Sequence, residues 1–187
     1  EDISRWLNRL LHTSDDFSLI ESVSQLTHSD EVEDRIEAIN LILRNRRDEI
    51  IPYLIELLND VNPSVQASAI IASGKIRKND IYPFVIDKLS SASFGDLAIN
   101  ALVDIGDDVI PYLDVIFQKT DQDPQTQLRI VKVFERSGTE KSREILWAKI
   151  DYPDKKIVSQ VLFALANTNF QAEGYQKVRI KYVIESD

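Results

Sequence analysis

The side chains that most often carry out chemistry are scarce in this sequence. His12 and His28 are the only histidines and cysteine is absent, so disulfides, thiolate nucleophiles and Cys/His zinc sites are excluded. No Gly-rich phosphate loop or Gly-x-Ser-x-Gly motif occurs. Carboxylates cluster at Asp107-Asp108 and in the segment DQDP at 121–124. Such clusters could bind a cation, but turn formation and helix capping explain them better. We therefore expect no metal, no cofactor and no catalytic residue.

The charge balance limits the classes of partner. The formal net charge is −9, which argues against a general nucleic-acid binder because affinity for phosphates comes mainly from Lys and Arg. Basic and acidic residues nearly balance over 121–187, so a local basic patch there stays open. No apolar run approaches the roughly 18 residues of a membrane span. The chain has no methionine and opens on Glu1-Asp2, so we expect it to be a piece of a longer protein.

The residues that could position a binding site lie in repeated helix pairs. The segment IIPYLIELLNDVNPSVQASAIIASGKI at 50–76 holds two apolar patterns separated by a polar turn. In its second half, apolar residues recur every three or four positions, which predicts one face of a helix. These residues are Val65, Ala69, Ala72 and Ile76. The first half shows the same spacing, and Asn62-Pro63 is typical of a helix start. The unit is therefore helix, turn, helix.

This unit recurs about every 30 residues. Segments similar to 69–73 begin at Ala38, Ala98, Ile130 and Val161. The first helices begin near prolines at Pro52, Pro83 and Pro111, and the second helices are predicted to end near glycines at Gly74, Gly106 and Gly138. Each unit leaves an apolar face that only a neighbouring unit can cover, which favours a stacked array. A bundle of four or five helices is the alternative.

The segment DVNPSVQASAIIASGKI resembles a HEAT repeat of the short type named after phycobilisome lyases (PBS lyase HEAT-like). The matching positions are Asp60, Pro63, Val65, Ala69, Ala72, Gly74 and Ile76. Gln66 stands where that family usually has Arg, and Ser73 where it has Leu. The resemblance covers about residues 17–187. It implies an all-α fold, an armadillo-like α-solenoid (α-α superhelix) of about five HEAT-like helix-pair repeats.

We predict a single array over 1–187. The predicted repeats span 17–47, 48–78, 79–107, 108–138 and 139–169. Residues 1–16 would be an N-terminal capping helix or the end of an earlier repeat, with Trp6 on its apolar side. Residues 170–187 would start a further repeat, and we prefer a helix there, although the alternation in YQKVRIKYVIESD also suits a strand.

Three activities are found among HEAT-like proteins, and the residues of this sequence argue against each. Hydroxylases of the deoxyhypusine type hold two irons through recurring His-Glu pairs, but neither His12 nor His28 precedes a Glu. HEAT-like alkylpurine DNA glycosylases need a basic groove with aromatic residues beside an acid, whereas Trp6 and Trp147 are far apart in repeat phase. Nothing marks a bilin site of the lyases. We predict no enzyme; a HEAT-like enzyme acting on nucleic acid is the less favoured alternative.

The second helices of such solenoids line the concave face, which the family uses for binding. Aligning the repeats predicts seven partner-binding residues: Arg44, Ile71, Lys75, Asn100, Lys132, Arg136 and Phe163. Ile71 and Phe163 are large apolar residues on a polar stripe and could anchor a partner, although single exposed apolar residues are also normal. A basic cluster at the ends of two consecutive second helices could accept an acidic peptide or phosphates, or could complement helix dipoles. Its members are Arg44, Arg46, Arg47, Lys75, Arg77 and Lys78. A further predicted row comprises Arg35, Gln66, Gln127 and Val158.

These features predict a cytoplasmic, non-catalytic scaffold or adaptor that holds a protein or peptide segment on its concave face. We expect neither nucleic-acid binding nor membrane insertion. The alternative is a cytosolic regulatory module of a larger enzyme or membrane transporter, in which the same surface would dock within one protein. The sequence does not predict the partner or the oligomeric state.

Overall fold

A computed structural model describes residues 18–119 and 121–185. These residues form α-helices and short 3-10 turns, and none of them lies in a strand. The all-α class predicted from the repeat pattern is therefore confirmed. The capping helix predicted at 1–16, with His12 and Trp6, lies outside the described residues. The chain divides into two compact units, with the boundary between Ile76 and Arg77.

The first unit contains two helix pairs. Its helices are α1 over the described residues 18–27, α2 at Val32–Asn45, α3 at Ile51–Leu57 and α4 at Pro63–Ile76. The longer helices α2 and α4 pack side by side, and α3 packs against both. Apolar residues that recur at helical spacing fill the space between them, including Ile39, Ile42, Leu54, Leu58, Val65, Ala69 and Ile70. The apolar stripes therefore account for the packing.

The second unit alternates short first helices with longer second helices. The helices are α5 at Tyr82–Asp87, α6 at Gly95–Ile105, α7 at Ile110–Phe117, α8 at Pro124–Ser137, α9 at Glu140–Trp147, α10 at Lys155–Asn167 and α11 at Tyr175–Glu185. Helix α8 packs between α6 and α10, so the three second helices lie side by side. The short helices α5, α7 and α9 contact one another in turn and pack against the second helices. The unit thus has a first-helix layer and a second-helix layer.

Helix starts follow the predicted rule, but Gly74 is not the left-handed residue that ends its helix. Pro52, Pro83 and Pro111 lie in the first turns of α3, α5 and α7, where an amide has no helical partner to lose. Gly138 ends α8 in the left-handed region with φ 59°. Gly74, in contrast, is buried inside α4. Because α4 continues to Ile76, the residue with positive φ is Arg77.

The C-terminal segment is a helix, as preferred, and not a strand. None of the side chains of α11 is buried. Its attachment includes the ring of Tyr175, which meets the Trp147 ring edge-on with centroids 6.2 Å apart. The Arg179 Nε also donates to the Asp151 Oδ1 at 2.8 Å. Trp147 stacks in turn on Phe170 at 5.6 Å. Aromatic contacts thus connect α9 with the start of α11.

The acidic segment before α8 serves as a helix cap. Asp123 Oδ2 accepts hydrogen bonds from the Thr126 backbone N at 2.9 Å and from the Thr126 Oγ1 at 3.1 Å. This bond satisfies one of the amides that have no partner at a helix start. The capping interpretation of the DQDP segment is confirmed for Asp123.

The cap predicts a pH dependence. The hydrogen bond from the Thr126 backbone lowers the pKa of Asp123 below its ordinary 3.8. A lowered folded-state pKa contributes stability that is present above the unfolded pKa and is lost as pH falls through the folded value. A carbon-detected NMR titration should place the Asp123 midpoint below the carboxyls of exposed, uncapped aspartates. In Asp123→Asn, which can still cap, this part of the acid dependence of unfolding should disappear; an unchanged acid limb would contradict the assignment.

Candidate protein-binding surface

Three second helices of the second unit present one polar surface, called here the second-helix face. It is formed by paired positions on α6, α8 and α10, each pair four residues apart and so on one side of its helix. The pairs are Asn100 with Asp104, Lys132 with Arg136, and Phe163 with Asn167. All six side chains are exposed or half-buried. Four of the predicted partner-binding residues therefore lie on this face.

Hydrogen bonds join the three helices across the face. Arg136 Nη1 on α8 donates to the Asn100 Oδ1 on α6 at 2.5 Å. On the other side, Asn167 Nδ2 on α10 donates to the Glu135 Oε1 at 2.6 Å. The structure thus brings together two predicted residues, Asn100 and Arg136, and connects α8 to both neighbours. Such bonds restrict the side chains, and a surface restricted in this way has a lower entropy cost of binding.

The accessible charge at the centre of the face is positive. The side chain of Glu135 is only 9% exposed, whereas its ion-pair partner Lys132 is 40% exposed with Nζ 3.1 Å from the Glu135 Oε2. This ion pair compensates Oε2, which accepts no hydrogen bond of good geometry. Arg136 is exposed as well, and Asp104 adds one exposed carboxylate on α6. Two cations on α8 are therefore more accessible than the carboxylate that neutralises one of them.

An apolar side chain lies beside this charged centre. Phe163 on α10 is 56% exposed and lies one turn before Asn167, on the same side of the helix. An exposed phenyl ring gains free energy when a partner covers it, because apolar surface leaves water. The face therefore combines an apolar anchor point with donors and cations held in fixed positions.

The first unit carries the other three predicted residues. Ile71 is 45% exposed, and Lys75 follows one turn later on the exposed side of α4. Arg44 on α2 is exposed, and its Nη1 lies 3.7 Å from Glu37 on its own helix. This pair does not join Arg44 to Ile71 or Lys75. Arg46 Nε donates to the Leu43 carbonyl at 3.1 Å near the end of α2, so one member of the basic cluster complements a helix end.

The further row predicted for the face is wrong. Arg35 bonds to Asp60, and Gln66 Nε2 donates to the Asp60 carbonyl at 2.5 Å. Gln127 is 4% exposed, and its Nε2 donates to the Phe117 carbonyl at 2.9 Å. Val158 is 7% exposed. These positions lie at the start of each second helix and point inward, where most of them satisfy groups at the preceding first-helix end or turn.

In the third repeat, the position that corresponds to Gln66 and Gln127 has no side chain of its own. This repeat has Gly95 there, and the guanidinium of Arg129 on the next second helix occupies the space, so that a Cβ on Gly95 would overlap the Arg129 Cζ. Arg129 Nη1 donates to the Ser91 carbonyl at 2.8 Å and also to the Leu89 carbonyl. A small residue in one repeat is thus matched by a long one in the next.

One residue of the hydrogen-bonded row was missing from the prediction, Glu135. Glu135 carried a signal, because the aligned positions in the other repeats hold uncharged, mostly apolar residues. These are Leu43, Gly74, Val103 and Ala166. A single charged residue at such a position indicates that its side chain forms a specific hydrogen bond or ion pair within the protein. Asn167 was not missed, because the repeat alignment places it at the same outward position as Lys75 and Arg136.

The one histidine among the described residues pairs with a carboxylate and belongs to no metal-binding group. His28 Nε2 lies 3.2 Å from the Glu56 Oε1, with both side chains 55% exposed. No group of three or more His, Cys, Asp or Glu residues within 18–119 and 121–185 is arranged to hold a metal ion. In the same residues, none of the helices is long and apolar enough to cross a membrane.

The comparisons identify the repeat type. The family model of HEAT repeats matches residues 20–96. This segment is therefore similar to HEAT repeats. The match confirms the resemblance drawn from the Asp60–Ile76 motif and includes α2, α3, α4 and α5. No curated protein matches the chain.

The solved structures that align with this chain have low sequence identity to it. Two crystal structures of engineered proteins each align with 83% of the chain at 18% identity, with TM-scores of 0.42 and 0.43. The chain covers 48% of the first, about half its length, and 81% of the second. Human deoxyhypusine hydroxylase in complex with glycerol aligns with 83% of the chain, which covers 88% of that protein, at 11% identity and a TM-score of 0.35.

Proposed function

We propose that this protein is a non-catalytic scaffold or adaptor and that the second-helix face of its second unit binds a segment of a partner protein. HEAT repeats commonly mediate protein interactions, and this chain is similar to such repeats over 20–96. The observation that carries the proposal is the exposed Phe163 beside a hydrogen-bonded row of Asn100, Arg136, Glu135 and Asn167. A cytoplasmic setting is part of the proposal and rests on the absence of cysteine.

The chemistry of the face indicates what the partner segment offers. The Phe163 ring would be covered by an apolar side chain. Lys132 and Arg136 would be met by a carboxylate or by main-chain carbonyl groups, since both are donors with exposed charge. Nucleic acid fits the same cations less well, because the whole chain carries a net charge of −9. In the first unit, Ile71 and Lys75 offer a similar apolar and basic pair.

The test compares captured partners between matched variants. The wild-type chain, Phe163→Glu and Lys132→Glu would each be used for affinity capture from native lysate, with quantitative mass spectrometry. We expect one set of proteins to fall about tenfold or more in both variants, as hot-spot substitutions at the centre of an interface do. Val178→Glu is the control, since Val178 is 70% exposed and lies on α11, which contributes no residue to the face.

Each outcome decides the proposal. Partners that are lost with Phe163→Glu and Lys132→Glu but retained with Val178→Glu support the assigned face. If every captured protein survives both substitutions, the second-helix face is not the binding surface. Circular dichroism and thermal unfolding would confirm that the substitutions, which lie at exposed or half-buried positions, leave the fold unchanged.

A further inference from the structure

The first-helix layer of the second unit contains an apolar groove that the second-helix face does not use. It runs between α5 and α7 and is called here the α5–α7 groove. Its apolar part has a volume of about 290 Å³ and is lined by Pro83, Ile86, Pro111, Tyr112, Val115 and Ile116. Val115 is 64% exposed and Tyr112 is 40% exposed. Apolar side chains grouped in this way, unlike single ones, indicate a binding surface.

The groove continues into a polar part near the ends of the two helices. This part, of about 320 Å³, shares Pro83, Ile86 and Ile116 with the apolar part. The residues that it adds include Asp87, Ser90, Lys119, Gln122 and Asp123. Each part is near the lower limit of the size that ligand pockets usually have. The dimensions therefore fit a few side chains of a partner better than a whole helix face.

The negative charge of the polar part favours a positively charged group on a bound partner. Two carboxylates, Asp87 and Asp123, face a single ammonium group, Lys119. Asp123 uses its Oδ2 for the bonds to Thr126, and the capping bond keeps it ionised. An apolar wall that passes into an anionic end is complementary to an apolar anchor next to a cation. The same charges disfavour anionic lipid or nucleic acid, which negative groups repel.

We propose that the α5–α7 groove docks a short protein segment in which an apolar side chain is followed closely by Lys or Arg. The apolar anchor covers Tyr112 and Val115, and the basic residue approaches Asp87 and Asp123. Because the groove lies in the first-helix layer and the second-helix face in the other layer, the two surfaces can be occupied independently. The proposal does not depend on the function proposed above.

The test selects the occupant without assuming its identity. A random-peptide display library would be panned on the whole chain, and peptides that also bind Val115→Glu would be removed. We expect the remaining peptides to share an aliphatic or aromatic residue close to Lys or Arg. The best peptide should bind Val115→Glu at least about tenfold more weakly, because a charge replaces the apolar wall. Asp87→Lys should weaken it by about tenfold as well, since like charges then meet.

Matched controls make the outcome decisive. Val61→Glu replaces a valine that is 95% exposed, more than Val115, and lies outside the groove, so this variant should bind the peptide as the wild type does. Phe163→Glu should also leave the affinity unchanged, which separates this surface from the second-helix face. A panning that yields no peptide sensitive to Val115→Glu overturns the proposal. Selected peptides that lack basic residues, or that ignore Asp87→Lys, overturn the assigned chemistry.

Discussion

Replacement of Arg35 by alanine is expected to lower the free energy of unfolding by about 3–5 kcal/mol. Arg35 Nε and Nη2 donate to the two carboxylate oxygens of Asp60 at 2.8 and 3.2 Å, and the side chains are only 12% and 8% exposed. Arg35 Nη1 also donates to the Ser29 and Asp30 carbonyls. Without the guanidinium, the Asp60 carboxylate stays buried with the Asn62 amide at 2.7 Å among its remaining donors. An uncompensated buried charge is the reason for the large loss.

The control for Arg35→Ala is Arg44→Ala in the same unit. Arg44 also pairs with a carboxylate, Glu37, but at 3.7 Å and with the two side chains 69% and 44% exposed. Exposed pairs contribute about 0–1 kcal/mol, so Arg44→Ala should change the unfolding free energy little. Urea titrations followed by circular dichroism would measure both. Equal losses in the two variants would show that burial of the Arg35–Asp60 pair does not matter.

The repeat could be predicted from the sequence because its physical causes are local. Helix pairs follow from the spacing of residues such as Val65, Ala69 and Ala72, which are all buried. The prolines at the helix starts act through the backbone of their own helix, so the sequence alone places them. The helix α11 could likewise be predicted, because its segment falls where the repeat pattern requires a first helix. The periodic pattern thus contains most of the information about the fold.

The contacts between repeats could not be predicted in this way. The Asn167–Glu135 bond and the contact of Arg129 with Gly95 depend on how far one second helix is shifted along the next. The alignment of repeats does not contain this shift. It also places Gln127 on the surface row, whereas the structure buries it against Phe117. Residues that connect neighbouring repeats therefore need the structure before they can be assigned to a surface or to the core.

Lys149 is another residue whose position could not be predicted from the sequence. Its contacts lead to a second prediction of a large change in stability. A lysine is usually expected at the surface, but Lys149 is 6% exposed. Its Nζ pairs with the Asp114 Oδ1 and lies 4.3 Å from the centroid of the Phe117 ring. Asp114 also accepts a hydrogen bond from the Gln118 Nε2 at 2.9 Å. The ammonium group thus joins α7 to the segment that follows α9.

Asp114→Ala and Lys149→Met should therefore differ strongly in stability. Asp114→Ala leaves a buried ammonium with only the Phe117 ring for compensation, and we expect a loss of about 3 kcal/mol, at the lower end for a broken buried pair because Asp114 is 24% exposed. Lys149→Met leaves a carboxylate that still reaches water and keeps an unbranched side chain over the Phe117 ring, so we expect a loss below about 1.5 kcal/mol. Chemical denaturation of both variants and of the double variant would measure the coupling. If Lys149→Met lowered the unfolding free energy more than Asp114→Ala, the expectation would be contradicted. The ion pair itself would then stabilise the α7–α9 contact, and an unpaired buried lysine would not be the dominant cost.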